Sequence, residues 1–274
     1  MYLFMSFSQD DNGPGDQALR LKDRRCRPAP PLISSRAVPE AHAPAWRPAG
    51  SVRIGGTAAR SRAFPSEQRR SRMALKAQPI NCTLKRSDGE GSSTDAMIAL
   101  LAEELTSRGV EVAPTLRMAD HDILPGVSSD EGPGDAWPRL RQTILEADIL
   151  VFGTPIWLGQ ASSIAKRVLE RMDAFLEKTD DQGRMPSYSK AAIVAIVGNE
   201  DGAHAVTAQL FQALNDVGWT IPAVGACYWV GDAMGSTDFR DLKEPPEAVR
   251  KTARITASNA VHLAGRLKTS PYPG

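Results

Sequence analysis

Residues 73–274 are predicted to form an α/β domain, patterned from Leu75 to about residue 268. Short apolar runs alternate there with amphipathic stretches, five candidate strands are separated by helices, and no internal repeat is present. This alternation is what a parallel sheet with crossover helices requires. The chain has 274 residues, of which 42% are hydrophobic and 24% charged, enough to bury one sizeable core.

The candidate strands are apolar runs bounded by turn residues, at 78–82, 111–118, 148–153, 191–198 and 220–228. The first helix is predicted over 94–108, because Ile98, Leu101 and Leu105 share one face and Gly109 ends it. Three further helices follow from the same spacing. Their inner faces carry Ile164, Val168, Met172 and Leu176; then Val206, Leu210, Leu214 and Val217; then Val249, Ala253, Thr256, Ala260, Leu263 and Leu267, in a helix opened by Pro245 and Pro246.

Residues 1–72 are predicted to be a disordered, Arg- and Pro-rich extension, since they show no sustained periodicity. They hold 13 Lys and Arg against 6 Asp and Glu, about +7, which leaves about −6 on the remainder of the chain. Three interpretations stay open: a plain tail, a targeting or nucleic-acid-binding tail, and a segment that is not translated because synthesis starts at Met73.

Cysteine usage and hydropathy exclude several classes. Cys26, Cys82 and Cys227 are odd in number and widely spaced, so neither a disulfide framework nor a metal site is expected. The longest apolar runs are far shorter than the roughly 20 residues of a membrane helix. We expect a cytoplasmic protein that binds neither membrane nor nucleic acid.

The segment after the first strand, residues 82–94, contains glycines and hydroxyl side chains and continues directly into a helix. Free N–H groups at a helix N-terminus bind anions, so a phosphate would fit. An ordinary loop, in which Ser92, Ser93 or Thr94 only caps the helix, explains the same residues. Asp95 would oppose a phosphate unless its side chain points away.

A second segment, residues 153–163, follows the third strand. Pro155 stiffens the turn, Gly159 allows close backbone approach and Trp157 supplies aromatic surface, all of which suit contact with a flat ring. Open α/β sheets bind ligands at this end of their central strands. The alternative is that residues 156–158 are buried packing or a subunit interface.

The third segment, residues 198–204, has two glycines and three polar side chains after the fourth strand. It suits contact with a ligand edge and is also an ordinary turn sequence. His204 is expected to open the next helix, with substrate contact as the alternative.

In order, these segments resemble the flavodoxin-fold NAD(P)H-dependent FMN reductase family over essentially all of residues 75–268. The resemblance is carried by Asn81-Cys82-Thr83-Leu84-Lys85, Ser92-Ser93-Thr94, Thr154-Pro155-Ile156-Trp157 with the helix start after it, and Val197-Gly198-Asn199-Glu200-Asp201-Gly202. The family often has Asn just before the helix-opening Thr, where this chain has Ser93.

The resemblance implies a flavodoxin-like three-layer sandwich whose five-stranded parallel sheet has the order 2-1-3-4-5, with FMN at its carboxyl edge. NADH or NADPH would donate two electrons to a quinone-like or other small acceptor, and the protein would be a homodimer or homotetramer. No catalytic side chain is expected, because the flavin performs the chemistry. The implied cofactor-binding residues are Thr83, Lys85, Ser92, Ser93 and Thr94 at the phosphate, and Thr154, Pro155, Ile156, Trp157, Leu158, Gly159, Gly198, Asn199, Glu200, Asp201 and Gly202 at the ring.

Two other functions compete with the reductase interpretation. Flavodoxin-type electron carriers are usually strongly acidic around the flavin, whereas residues 73–274 carry only about −6 and place Lys166, Arg167 and Arg171 near the predicted site. A structural or regulatory protein that kept the fold but lost the cofactor would not be expected to retain Thr83, Thr94 and Thr154-Pro155-Ile156-Trp157. The reductase is therefore favoured.

Overall fold

Parallel strands form the centre of the molecule. In the computed structural model, which describes residues 74–233 and 235–274, the sheet follows the order β2-β1-β4-β6-β7, with β3 beside β1 and β5 beside β4. All neighbours are parallel except β4 and β5. The strands are β1 Lys76–Asn81, β2 Glu111–Val112, β3 Leu116–Arg117, β4 Ile149–Trp157, β5 Gln160–Ala161, β6 Ala191–Gly198 and β7 Ala226–Val230. The predicted boundary at residue 73 and the interpretations of residues 1–72 lie outside the described residues.

Proline accounts for two differences from the predicted strands. The run 111–118 is one strand interrupted at Pro114, because proline has no N–H for the ladder, and both fragments pair with β1. In the run 220–228, Pro222 and the left-handed backbone of Val224, with φ 55°, leave only a bridge from Thr220 to Ala191 before β7. Counted as single strands, the elements confirm the order 2-1-3-4-5.

The helices are α1 Ser93–Thr106, α2 Trp137–Leu145, α3 Ser163–Met172, α4 Ala203–Asp216 and α5 Glu247–Thr269. Helix α2 was not predicted, since its nine residues are too few for a clear period. The helix that was predicted to carry Ile164, Val168, Met172 and Leu176 on its inner face is shorter than predicted. Helix α3 ends at Met172, and Leu176 is 48% exposed while Phe175 is buried in its place.

Two hydrophobic clusters cover the two faces of the sheet and make the fold a three-layer sandwich. Alternate residues of β6 point to opposite sides, so Val194 packs with α2, α3 and α4 while Ile193 packs with α1 and α5. Both faces of this strand are buried, as expected for a parallel sheet. Among the described helices, none has the length and apolarity that crossing a bilayer requires.

A buried ion pair fastens the long connection between β3 and α2. Arg171 of α3 contacts the Asp135 carboxylate at 2.6 Å, and both side chains are inaccessible to solvent. The guanidinium also donates to the carbonyl oxygens of Leu124 and Ser128 and lies 5.9 Å from the centre of the Trp137 ring. Arg171 is therefore a structural residue, and its charge, expected near the site, is buried in an ion pair.

Candidate functional site

The segments that follow the parallel strands meet at the carboxyl edge of the sheet. The Ser162 hydroxyl, which caps α3, donates to the carbonyl oxygen of Cys82 and joins the first segment to the second. The second and third segments touch at two glycines: a Cβ on Gly202, whose φ is 126°, would lie 2.8 Å from Cα of Gly159. The structure thus brings the three predicted segments together at one edge.

The N-terminus of α1 has a fully formed cap. The Ser92 hydroxyl accepts from the N–H of Asp95, and the Asp95 carboxylate accepts from the N–H of Ser92 at 3.0 Å. Asn81 donates to the same carboxylate at 2.6 Å, and Arg117 forms an ion pair with it. The charge of Asp95 is therefore neutralised within the cap. Neither Asn81 nor Arg117 was among the predicted binding residues.

Thr94 differs from its neighbours because its hydroxyl has nothing to bond. The side chain is 1% exposed, and Oγ1 has no hydrogen-bond partner within the described part of the chain. Its methyl group packs on β4, where a Cβ on Gly153 would come within 2.9 Å. A buried hydroxyl without a partner costs free energy, commonly about 1–3 kcal/mol. An anion at the helix start would supply the missing partner.

The other predicted phosphate residues are placed differently from one another. Thr83 is buried, and its N–H is held by the Asn81 side chain at 2.9 Å. The side chain of Lys85 is exposed. The Ser93 hydroxyl accepts from the N–H of Arg240 at 3.4 Å.

The second segment is a β-hairpin. Strands β4 and β5 pair through Trp157 and Gln160, joined by the two-residue turn Leu158-Gly159, in which both residues have positive φ, 51° and 72°. Trp157 is 53% exposed and Leu158 is 89% exposed, whereas Ile156 is buried. The side chains at the hairpin tip are therefore not core packing, but that of Ile156 is.

The other residues predicted to line the ring make contacts within the protein, and two of their side chains support the hairpin. The Thr154 hydroxyl is buried and accepts from the N–H of Ser162 at 3.1 Å. Glu200 accepts from the N–H of Leu158 at 2.8 Å, which fixes the hairpin tip to the third segment. Asn199 donates to Asp238 at 3.0 Å, and Asp201 accepts from the N–H of Gly202. Gly198 lies against Ile156, where a Cβ would come within 2.8 Å, and Pro155 is half-buried.

His204 lies in the first turn of helix α4, which begins one residue before the predicted start, at Ala203. Its Nε2 lies 2.9 Å from the hydroxyl oxygen of Tyr228, and the two rings meet edge to face with centres 5.4 Å apart. The edge-strand tyrosine was not identified from the sequence as its partner.

The sequence model of the NADPH-dependent FMN reductase family matches residues 80–233 of this chain, which include all three segments. The chain belongs to the NADPH-dependent FMN reductase family. Its flavodoxin-like fold and flavin-dependent oxidoreduction follow from this membership.

The relatives of this FMN reductase family member include an enzyme that makes a modified flavin. The chain is 34% identical over 210 residues to 8-demethyl-8-aminoriboflavin-5'-phosphate synthase of Streptomyces davaonensis. The match covers 73% of this chain and 81% of that protein. The structure of RosB with bound 8-demethyl-8-formylriboflavin-5'-phosphate is 33% identical, with a TM-score of 0.66, and covers 73% of this chain and 83% of RosB.

Two other proteins are more distant in fold or in length. An NADH:FMN oxidoreductase in its apo form has 16% identity and a TM-score of 0.50, covering 70% of this chain and 89% of that chain, and this likeness shows the fold alone. A divalent metal cation transporter, MntH, of Mycobacterium bovis is 39% identical over 202 residues. The match covers 71% of this chain but only 29% of that protein.

The residues of the edge fit FMN. Thr94 and those first N–H groups of α1 that Ser92 does not bind could hold the phosphate, since such groups have no partner within the helix. The exposed face of Trp157 could lie against the ring. The individual contacts with FMN are predictions.

Trp157→Ala is expected to weaken FMN binding about tenfold and to leave the melting temperature of the apoprotein nearly unchanged, because the side chain is 53% exposed. FMN titration monitored by tryptophan fluorescence measures both the affinity and the quenching that should disappear. Leu176→Ala, at another exposed apolar side chain, is the control and should not affect binding. A large loss of apoprotein stability would instead favour a packing role for Trp157.

Proposed function

We propose that this protein passes two electrons from NADH or NADPH through bound FMN to a quinone-like or other small acceptor. The observation that carries the proposal is the buried Thr94 hydroxyl, which has no partner among the described residues, at the start of α1. It supports a phosphate at that point, and the exposed Trp157 on the same edge supports a ring beside it.

Bound FMN supplies the two-electron chemistry, so the chain needs only to bind, orient and shield it. The α1 cap presents a helix start whose own carboxylate is neutralised by Arg117. The Glu200 side chain fixes the hairpin that carries Trp157. Because FMN would carry out the electron transfer and the chain would only bind and orient it, the proposal requires no side-chain acid or base.

Anaerobic mixing with NADH or NADPH alone is expected to bleach the flavin absorbance of the loaded protein. Donor and acceptor must approach the same ring at one shallow edge, so they should take turns. Steady-state rates with a quinone should then give parallel double-reciprocal lines. Free FMN at the same concentration is the control.

One outcome would leave the electron carrier as the better assignment: no reduction by the nicotinamide donor, but reduction by an electron-transfer protein. The charge argument against a carrier is weaker than the sequence suggested. Arg171 is buried in an ion pair, and Arg167 donates to the carbonyl oxygen of Ile123 at 2.8 Å.

A second function is favoured by the relatives. The same edge could hold a flavin phosphate as substrate rather than cofactor, as the identity of 34% to a flavin-modifying synthase suggests. Incubation of the protein with FMN in air, with an amine donor present, distinguishes the two. Mass spectrometry should recover FMN with unchanged mass if the reductase proposal is correct and a flavin of altered mass if the second function is correct.

The homodimer or homotetramer stays a prediction. A groove of about 1320 Å³ between α3 and α4 offers a surface for a second copy, and both Lys166 and Asp173 line it. Sedimentation velocity measures the state directly.

A further inference from the structure

Three consecutive residues between β7 and α5 contact three different parts of the molecule. Asp238 accepts from the side chain of Asn199 at 3.0 Å. Phe239 is buried, and the centre of its ring lies 5.5 Å from that of Trp229. Arg240 reaches the segment in front of α1.

Arg240 donates hydrogen bonds to three residues at and just before the start of α1. Its Nη2 donates to Glu90 at 3.0 Å, its Nη1 donates to the carbonyl oxygen of Gly91, and its backbone N–H donates to the hydroxyl of Ser93 at 3.4 Å. The buried Phe239 fixes the backbone from which this side chain extends. The guanidinium is therefore held beside the helix N-terminus at which Thr94 lacks a partner.

The guanidinium retains binding capacity. Its Nε is buried and has no hydrogen-bond partner among the described residues, although the carboxylates of Asp238 and Asp241 form longer ion pairs with it at 3.7 Å. Of its hydrogen-bond partners, Glu90 is the charged one, and the Glu90 side chain is 78% exposed. Exposed ion pairs of this kind contribute little, whereas a phosphate dianion offers a guanidinium two parallel, charge-assisted hydrogen bonds.

We propose that Arg240 recognises the flavin phosphate and makes the site select flavin 5'-phosphates over flavins that lack the phosphate. Before the phosphate binds, the Glu90 carboxylate accepts the hydrogen bond of the guanidinium and keeps the Arg240 side chain in position. This inference rests on the proposed binding of FMN at this edge. It assigns to Arg240 a specificity role that the sequence segments did not indicate, because the residue lies 147 positions after Ser93.

Fluorescence titration of the full chain with FMN and with riboflavin tests the proposal. Arg240→Gln should raise the Kd for FMN about 10- to 100-fold and that for riboflavin less than twofold, since only FMN carries the phosphate. Arg240→Lys should retain part of the preference. Arg250→Gln is the matched control, because Arg250, on α5, is likewise paired with exposed glutamate side chains, those of Glu244 and Glu247, and it should change neither Kd.

Glu90→Gln separates recognition from a structural role. Removing the competing carboxylate should tighten FMN binding several-fold at low salt and leave riboflavin binding unchanged. Equal loss of both flavins in Arg240→Gln, or loss of FMN binding in Glu90→Gln, would overturn the role of Arg240 while the wild type still binds FMN. A wild-type protein that binds no flavin would overturn the proposed function and this inference together.

Discussion

The double variant Thr83→Ala with Thr94→Val is expected to lose activity at stoichiometric FMN and to regain it at high FMN. Each hydroxyl is expected to bond the phosphate, and a hydrogen bond to a charged group contributes about 1.5–3 kcal/mol. Together they should raise the Kd for FMN by roughly a hundredfold or more. Isothermal titration of the apoprotein with FMN measures this loss.

Thr94→Val alone makes the sharper comparison. The valine removes a buried hydroxyl that has no partner among the described residues, so the apoprotein should be as stable as the wild type or more stable. Thr256→Val is the control, because the Thr256 hydroxyl is also buried but donates to the carbonyl oxygen of Val224 at 2.7 Å. That variant should lose stability and keep its FMN affinity. A destabilised Thr94→Val protein with unchanged FMN affinity would contradict the assignment.

Arg171→Ala is expected to destabilise the fold by about 3–5 kcal/mol, because it leaves the Asp135 carboxylate buried without a countercharge. The substitution also leaves the carbonyl oxygens of Leu124 and Ser128 without their donor. Urea denaturation of the two proteins measures the difference. Arg184→Ala, which breaks the partly exposed pair with Asp180, should cost less than about 1 kcal/mol. A comparable loss in both variants would contradict the role of the buried pair.

The same pair gives the stability a predictable pH dependence. Burial acts to raise the pKa of Asp135, but hydrogen bonds from Arg171 and from the backbone N–H groups of Glu131, Trp137 and Leu124 outweigh it and lower the pKa to about 2. A folded-state pKa below the ordinary value of 3.8 means that this contribution is complete above about pH 4 and is lost as the pH falls toward 2. Arg171→Ala should reduce this part of the acid sensitivity, which urea titrations between pH 2 and 5 would detect.

Local patterns in the sequence determined most of the fold. Apolar runs and helical spacing place the main strands and four of the helices, and the order 2-1-3-4-5 came with the family resemblance. The start of α1 was also predictable, since Ser92 followed by Asp95 is a short-range capping pattern. These features depend on residues a few positions apart, whose period or spacing can be read directly.

Which side chains are available at the edge was decided by tertiary structure. The register of the β4–β5 hairpin buries Ile156 and exposes Trp157, although both lie in one apolar run. Arg171 is withdrawn into the core by a partner 36 positions away, and Arg240 is brought to α1 from 147 positions beyond Ser93. Such contacts depend on how distant segments pack, and nothing in the local spacing records them. The sequence therefore identifies which segments meet, whereas packing determines which of their hydroxyl groups, charges and rings remain free to bind a ligand.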